Sequence, residues 1–342
     1  MANLKDVAKK AGVSIATVSR VINNIGNVDP VTAKLVNSVI KELDYKPSKV
    51  AQRLRNQNSK SKFIGLILPD IQNPFYVDVI HGIEEKVWKE GYALVIGNFS
   101  QDEKKEQLYI DIFRSESVVG FIVAPVHGKD EKVEELIRSG NSVVCVDRGL
   151  ESNNADVVLM DNERGAYMAV DHLIRLGHKN IAHITGSPLI QTTAQRLSGY
   201  KKAFEDHGLQ VNPDYVVGKD STQKSGVELT EFLLNLPNPP SAIFTGNNLI
   251  TLGVLETIHK KGLKIPEELA IVGFDDMSWS YALNPPLTAV RQSGFEIGQR
   301  AAELLLHRIE DPGRAITKLI LRTELVVRKS CGASENFNQN KS

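Results

Sequence analysis

Cysteine is scarce in this 342-residue chain: there are two, Cys145 and Cys331. Two cysteines cannot build a disulfide framework, and Cys145, inside the apolar run SVVCVD, is expected as a buried thiol. No run approaches the ~18 apolar residues that a membrane span needs. The N-terminus lacks the apolar stretch of a signal peptide, so a cytoplasmic protein with no membrane contact is expected. Catalytic and metal signals are equally thin. His172, His178 and His183 have neither the spacing nor the cysteine partners of a zinc site. There is no G-x-x-x-x-G-K-[ST] phosphate loop. Ser221-Thr222-Gln223-Lys224 fits S-x-x-K, but no K-T-G accompanies it. An enzyme is therefore not expected, and neither is a cofactor or metal.

Net charge is also absent, with 41 basic and 41 acidic residues. Its distribution is uneven. Residues 1–62 hold 12 Lys/Arg against 4 Asp/Glu, a net +8, which leaves −8 on the remainder. A basic head on an acidic body suits a head that binds a polyanion and a body that avoids it.

The head has helical patterning. Leu4, Val7, Ala8 and Ala11 recur at helical spacing. Asn3 is placed to cap that helix, and Gly12 to end it in a left-handed conformation. Ser14 is placed to cap a second helix whose inner stripe is Val18, Val21 and Ile22. Ile15, Ala16, Thr17, Ser19 and Arg20 are left for its start and outer face. Two short helices, a tight turn and an exposed arginine are the parts of a helix-turn-helix. Asp29-Pro30 opens a third helix with an expected inner stripe of Leu35, Val36, Val39, Ile40 and Leu43. Lys46-Pro47 breaks the chain, and Lys49–Arg55 is too short to be a stable helix alone. It is read as a linker or as a helix that forms on a partner.

From Phe63 the texture changes. Nine Val/Ile-rich runs alternate with helical stretches: 63–68, 93–97, 120–125, 142–147, 156–161, 180–185, 215–220, 241–246 and 269–275. Apolar strands separated by helices indicate parallel α/β sheets. Nine strands exceed one comfortable open sheet, so two doubly wound lobes with a boundary near Asp161 are expected. Ligands in such sheets bind at the carboxyl ends of strands.

Together these residues resemble the lac repressor family of bacterial transcription regulators. The resemblance rests on LKDVAKKAGVSIATVSRVIN, on YKPSKVAQRL, and on NPFY (73–76), VDR (146–148), R-x-x-G-Y (196–200), GFDD (273–276) and PPLTAVRQ (285–292). It covers residues 2–330, roughly. It implies a helix-turn-helix head (1–46), a hinge helix and linker (47–62), and an effector body of periplasmic-binding-protein type. One lobe would comprise 63–161 and about 290–320, the other 162–289 and about 321–330, with a disordered tail at 331–342.

The resemblance also implies a double-stranded DNA operator, an approximate palindrome read by a homodimer. Ser14 starts the recognition helix. Ile15, Ala16 and Arg20 match base-reading positions, and only Arg20 can give guanine two hydrogen bonds. Thr17, Ser19 and Asn23 would donate to phosphates or base edges. In the hinge, Ala51, Leu54 and Arg55 would contact DNA, with Leu54 wedged into a base step of the minor groove and Arg53 and Arg55 near phosphates. The body would bind a small sugar-like effector through Asn73, Phe75, Tyr76, Asp147, Arg148, Arg196, Asn247, Asp275 and Gln292. A sugar needs an apolar face and several polar groups for its hydroxyls, and this set has both. Two features depart from the family pattern. Asn248 stands where many relatives carry Asp, which removes the carboxylate of an ion pair between lobes. The segment 219–222 has no aromatic residue, leaving Trp279 to close that side of the cleft or to lie at an interface. A protein co-repressor and a DNA-free sugar-binding protein are the other function classes weighed.

Overall fold

The computed structural model describes residues 3–23, 26–45, 62–116 and 118–333. The chain divides into two compact units, Met1–Ser61 and Lys62–Ser342.

In the first unit the local signals act as expected. Helix α1 (Leu4–Ala11) begins with a capping box. Asn3 Oδ1 accepts the Lys5 and Asp6 N–H groups at 2.8 and 3.1 Å, while Asp6 Oδ2 accepts the Asn3 N–H at 2.9 Å. Gly12 ends the helix at φ 64°. Helix α2 (Ile15–Asn23) follows, and α3 (Pro30–Glu42) starts at Asp29, whose carboxylate accepts the Thr32 N–H at 3.0 Å. Val7, Ala8, Ala11, Val18, Val36 and Val39 form the core of the three helices. One expectation fails: Leu35 is 48% exposed. The core face of α3 runs through Val36, Val39 and Ile40, with Leu43 just past the helix end, and Leu35 lies at its rim, about 40° beyond Val39. Tyr45 also packs against this core.

The second unit contains two six-stranded sheets. The first uses β1 (Phe63–Leu68), β2 (Ala93–Asn98), β3 (Gly120–Val123), β4 (Val143–Val146), β5 (Asp156–Met160) and β11 (Lys318–Leu321), in the order β11-β5-β4-β3-β1-β2 and parallel throughout. The second uses β6 (Ile181–Thr185), β7 (Val216–Gly218), β8 (Ala242–Thr245), β9 (Ala270–Phe274), β10 (Thr288–Arg291) and β12 (Glu324–Val326), in the order β12-β10-β9-β8-β6-β7. Only the β10–β12 pair is antiparallel.

Helices cover both faces of each sheet, which is why the strands are apolar on both sides. On the first sheet, α4 (Pro74–Lys89) and α11 (Gly294–Glu310) cover Ile64, Leu66 and Val144. Helices α5 (Glu103–Ser115) and α6 (Glu131–Arg138) cover Ile67, Phe121 and Val123. On the second, α7 (Asn162–Arg175) and α8 (Gln191–Asp206) lie on one face, and α9 (Gln223–Leu234) and α10 (Asn248–Lys261) on the other. Helices α4 and α11 cross at Gly82 and Gly298. A Cβ at either would lie 2.1–2.2 Å from a carbonyl oxygen of the other helix, so only glycine permits this approach.

All nine expected runs are strands, and β10, β11 and β12 are additional. The chain passes between lobes after β5, after β10 and after β11. The packed body continues further than the expected tail boundary. Cys331 is fully buried, with His172 Nε2 and Thr288 Oγ1 each 3.2 Å from its Sγ, so residue 331 belongs to the second lobe's core.

Candidate functional site

On the head, the outer face of α2 presents Ile15, Ala16 and Arg20 to solvent, while Thr17 and Ser19 are half-buried. Ser14 is committed to the helix start: its Oγ accepts the Thr17 N–H at 3.1 Å and lies 2.9 Å from Thr17 Oγ1. Ser14 therefore sets the position of the helix before it can touch anything else. The Asn23 side chain and the hinge residues Ala51, Arg53, Leu54 and Arg55 lie outside the described residues.

In the body, all nine expected effector residues line one cleft between the lobes. The space between atoms in the cleft, counted out into open solvent, totals about 610 Å³. Its chemistry comes from the carboxyl ends of strands of both sheets. Asn73, Phe75 and Tyr76 follow β1, and Asp147 and Arg148 follow β4. Asn247 follows β8, Asp275 follows β9 and Gln292 follows β10. Arg196 projects from α8.

Most of these groups hold one another. Tyr76 donates its hydroxyl to Asp147 Oδ2 at 2.8 Å. Arg148 donates to Gln101 Oε1 at 3.1 Å and to the Pro125 and Val126 carbonyls at 3.3 Å, so its bonds stay within the first lobe. Arg196 lies 3.7 Å from the Phe274 ring centre and donates to Asn162 Oδ1 at 2.9 Å and to the Gly246 carbonyl at 2.5 Å. Asp275 accepts from Gln292 Nε2 and from the Asn248 N–H. Asn247 caps α10 through the Ile250 N–H at 2.8 Å, and Asn73 caps α4 through the Phe75 N–H at 2.9 Å. Phe75 and Tyr76 meet edge to face, with ring centres 5.2 Å apart.

Burial is the main electrostatic fact. It raises the Asp275 carboxyl above its ordinary pKa, opposed by Arg196, by the Gln292 amide and by the Asn248 N–H. Burial, together with Asp147, pushes the Tyr76 phenol well above the usual range and keeps it a donor. It lowers Arg196, against the pull of Asp275 and Asp147. The cleft thus combines buried carboxylate acceptors, guanidinium and amide donors, and an aromatic wall.

Gln101, Thr185, Thr192, Thr193, Ser221 and Leu249 also line the cleft and were not anticipated. Their signal was position alone, since each sits at a strand end or helix start. Trp279 packs against the second lobe's core instead of closing the cleft. The S-x-x-K segment is a helix start, where Thr222 Oγ1 accepts the Ser225 N–H at 3.2 Å. Asn248 makes a bond between lobes without a carboxylate: its Nδ2 donates to Asn73 Oδ1 at 2.7 Å.

Comparison with known proteins agrees with both parts. The model of bacterial regulatory proteins of the lacI family matches residues 3–48, and that of a periplasmic binding protein-like domain matches 170–331. The chain is 35% identical over 332 residues to the HTH-type transcriptional repressor PurR of Pasteurella multocida (strain Pm70), covering 96% of this chain and 98% of that protein. Among solved structures, the lac repressor dimer bound to operator and the anti-inducer ONPF superposes with a TM-score of 0.79 at 27% identity, over 97% of this chain and 99% of that one. A LacI family transcriptional regulator from Enterococcus faecium with bound ribose gives 0.72 at 28% identity, over 79% of this chain and 98% of that one. A helix-turn-helix head followed by a two-lobed ligand-binding body, matched to a curated repressor over nearly its whole length, places this chain in the lacI family of bacterial regulatory proteins, as a transcriptional repressor with an effector-binding domain.

Proposed function

We propose that this protein is a cytoplasmic, dimeric operator-binding repressor gated by a small, neutral, multiply hydroxylated ligand held in the interlobe cleft. The observation that carries the ligand class is the set of cleft groups. Three carboxylates (Asp70, Asp147, Asp275) outnumber two guanidinium groups (Arg148, Arg196), which disfavours an anion such as a sugar phosphate. Buried carboxylates call for donors, and hydroxyl groups supply them. Thr192, Thr193 and Ser221 can donate or accept, and Phe75 offers the apolar face of a ring to stack on. Binding, not turnover, is the chemistry this set supports. Dimerisation is supported by exposed apolar side chains on adjacent elements of the first lobe: Val77 on α4, Ile96 on edge strand β2, and Leu108 and Ile112 on α5.

Ligand binding must favour one lobe arrangement over another to change DNA affinity. The test is an anisotropy titration of the full chain on palindromic operator fragments, with and without D-ribose, hexoses, cellobiose, sugar phosphates and purine bases. A thermal-shift panel of the same compounds runs in parallel, because binding to the native state raises its apparent stability. A neutral sugar should both raise the melting temperature and change operator affinity. Failure to bind DNA at low salt would sink the repressor reading. A response only to sugar phosphates or purine bases would sink the ligand class.

A further inference from the structure

We propose that Asn248 is the positioning residue that ties closure of the two lobes to the state of the cleft. Asn248 opens α10 and is 1% exposed. Its neighbours Asn247 and Leu249 line the cleft, whereas Asn248 stands behind them. Two of its donors point in different directions. Its backbone N–H holds Asp275 Oδ2 at 3.2 Å, inside the second lobe. Its side-chain Nδ2 crosses to the first lobe and reaches Asn73 Oδ1 at 2.7 Å. That same Asn73 oxygen accepts the Phe75 N–H at 2.9 Å and so caps α4. One residue therefore links the cleft carboxylate of one lobe to the helix start that carries Phe75 and Tyr76 on the other.

A second bond between lobes ties Gly149, just past Arg148, to the start of α8. The Gly149 N–H donates to Gln191 Oε1 at 2.9 Å. Opening the lobes must break both bonds. Both use neutral amides, so the latch needs no ion pair and its strength should vary little with salt. The latch is also weak by construction. Each of its two ties is a single neutral hydrogen bond. A weak latch leaves the ligand able to decide between closed and open.

The inference builds on the cleft being the gating site, but its test reads closure itself and needs no ligand. Lys104 and Lys224 are exposed near the cleft residues Gln101 and Ser221, one on each lobe. Lys104→Cys and Lys224→Cys in the full chain accept a donor–acceptor dye pair, while the native Cys145 and Cys331 are buried. Labelled chains are diluted into unlabelled protein, and single-molecule energy transfer gives the closed-to-open ratio. Asn248→Ala, Asn248→Asp and Asn73→Ala should each lower that ratio about fivefold, the worth of one neutral hydrogen bond. Asn73→Asp should keep it, because a carboxylate still accepts from both Phe75 N–H and Asn248 Nδ2. An unchanged ratio in Asn248→Ala would overturn the proposal. If Asn248→Ala fails to fold, the Asn73→Ala and Asn73→Asp pair decides. Equal opening in both would overturn the proposal, and opening in the alanine variant alone would support it. Ribose titration and operator binding test the gating reading separately.

Discussion

Asp147 and Asp275 hold equivalent places in the two lobes. Each directly follows the fourth strand of its lobe in chain order, β4 and β9. Each adopts a left-handed backbone, with φ of 66° and 75°. Both are at most 5% exposed, and both line the cleft. A left-handed conformation at a non-glycine residue costs about 1–3 kcal/mol and persists where its surroundings over-determine it. Two such residues, related by lobe and converging on one cleft, mark strain kept for a side chain's use.

The first prediction separates stability from binding. Asp275→Gly relieves the left-handed strain but leaves Gln292 Nε2, the Asn248 N–H and the Arg196 guanidinium without their carboxylate, so the melting temperature should fall. The same change should abolish the thermal shift produced by the ligand identified in the sugar panel. Calorimetry on wild type and variant checks both. A fall in stability together with retained ligand response would show that Asp275 serves the fold alone.

A second prediction concerns pH above neutrality. Glu106 is 2% exposed on α5. Burial first, and then its bond to Asp130, push its carboxyl up from 4.5 to about 9, while the Val126 backbone N–H opposes the shift. A carboxyl raised in the folded state binds its proton more tightly there than in the unfolded chain. Folding is therefore favoured at low pH by this group, and that contribution is lost as pH rises from 4.5 towards 9. Glu106→Gln keeps the donor to Asp130 and cannot ionise. It should flatten the decline in urea-unfolding stability between pH 5 and 9 and exceed wild type at pH 8.5. Parallel wild-type and variant curves would refute the raised Glu106 carboxyl.

Much of this architecture was legible because a parallel sheet covered on both faces writes itself as Val/Ile runs. The three added strands lacked that signature. Lys318–Leu321 alternates between exposed and half-buried residues, and Glu324–Val326 is a three-residue edge strand. Leu35 misled because it lies only about 40° beyond Val39, and the sequence does not tell where the buried arc ends. In the cleft, charged and aromatic residues at strand ends stood out. Thr192, Thr193 and Ser221 did not, since hydroxyl residues at helix starts are expected as caps anyway. Asn248 registered only as a missing carboxylate. Its bond to Asn73 depends on how two lobes meet, 175 residues apart, and no local pattern encodes that.

The acid side should be governed in part by His183. It is fully buried, stacked 4.7 Å from the Phe244 ring, with Nδ1 3.1 Å from the Phe244 carbonyl and Nε2 unpartnered. Burial pushes its pKa down to about 4, against the hydrogen bond to the Phe244 carbonyl. Between pH 6.5 and about 4 the unfolded chain takes up a proton that the folded chain refuses, so stability falls as pH falls through that window. His183→Asn should remove this part of the acid limb while costing some packing at every pH. Denaturation midpoints at pH 4.5, 5.5 and 7 check the slope. An acid limb as steep as wild type would assign the loss to other groups.

Arg20 is exposed on the outer face of α2, while Ile15, 41% exposed, and Ala16 offer no hydrogen-bonding groups. Among these three, Arg20 alone can read a base edge by paired hydrogen bonds, at guanine O6 and N7. Arg20→Ala should therefore lose about 1–3 kcal/mol of discrimination at a single base position in each half-site. Affinity for non-specific DNA should change little by comparison. Phosphate contacts behave differently, since removing one weakens all sequences alike and lowers the salt dependence of binding. Competition binding against a half-site library with every single-base change, at two salt concentrations, distinguishes the outcomes. A preference lost at one position identifies Arg20 as a base reader, and a uniform loss with a shallower salt slope makes it a phosphate contact.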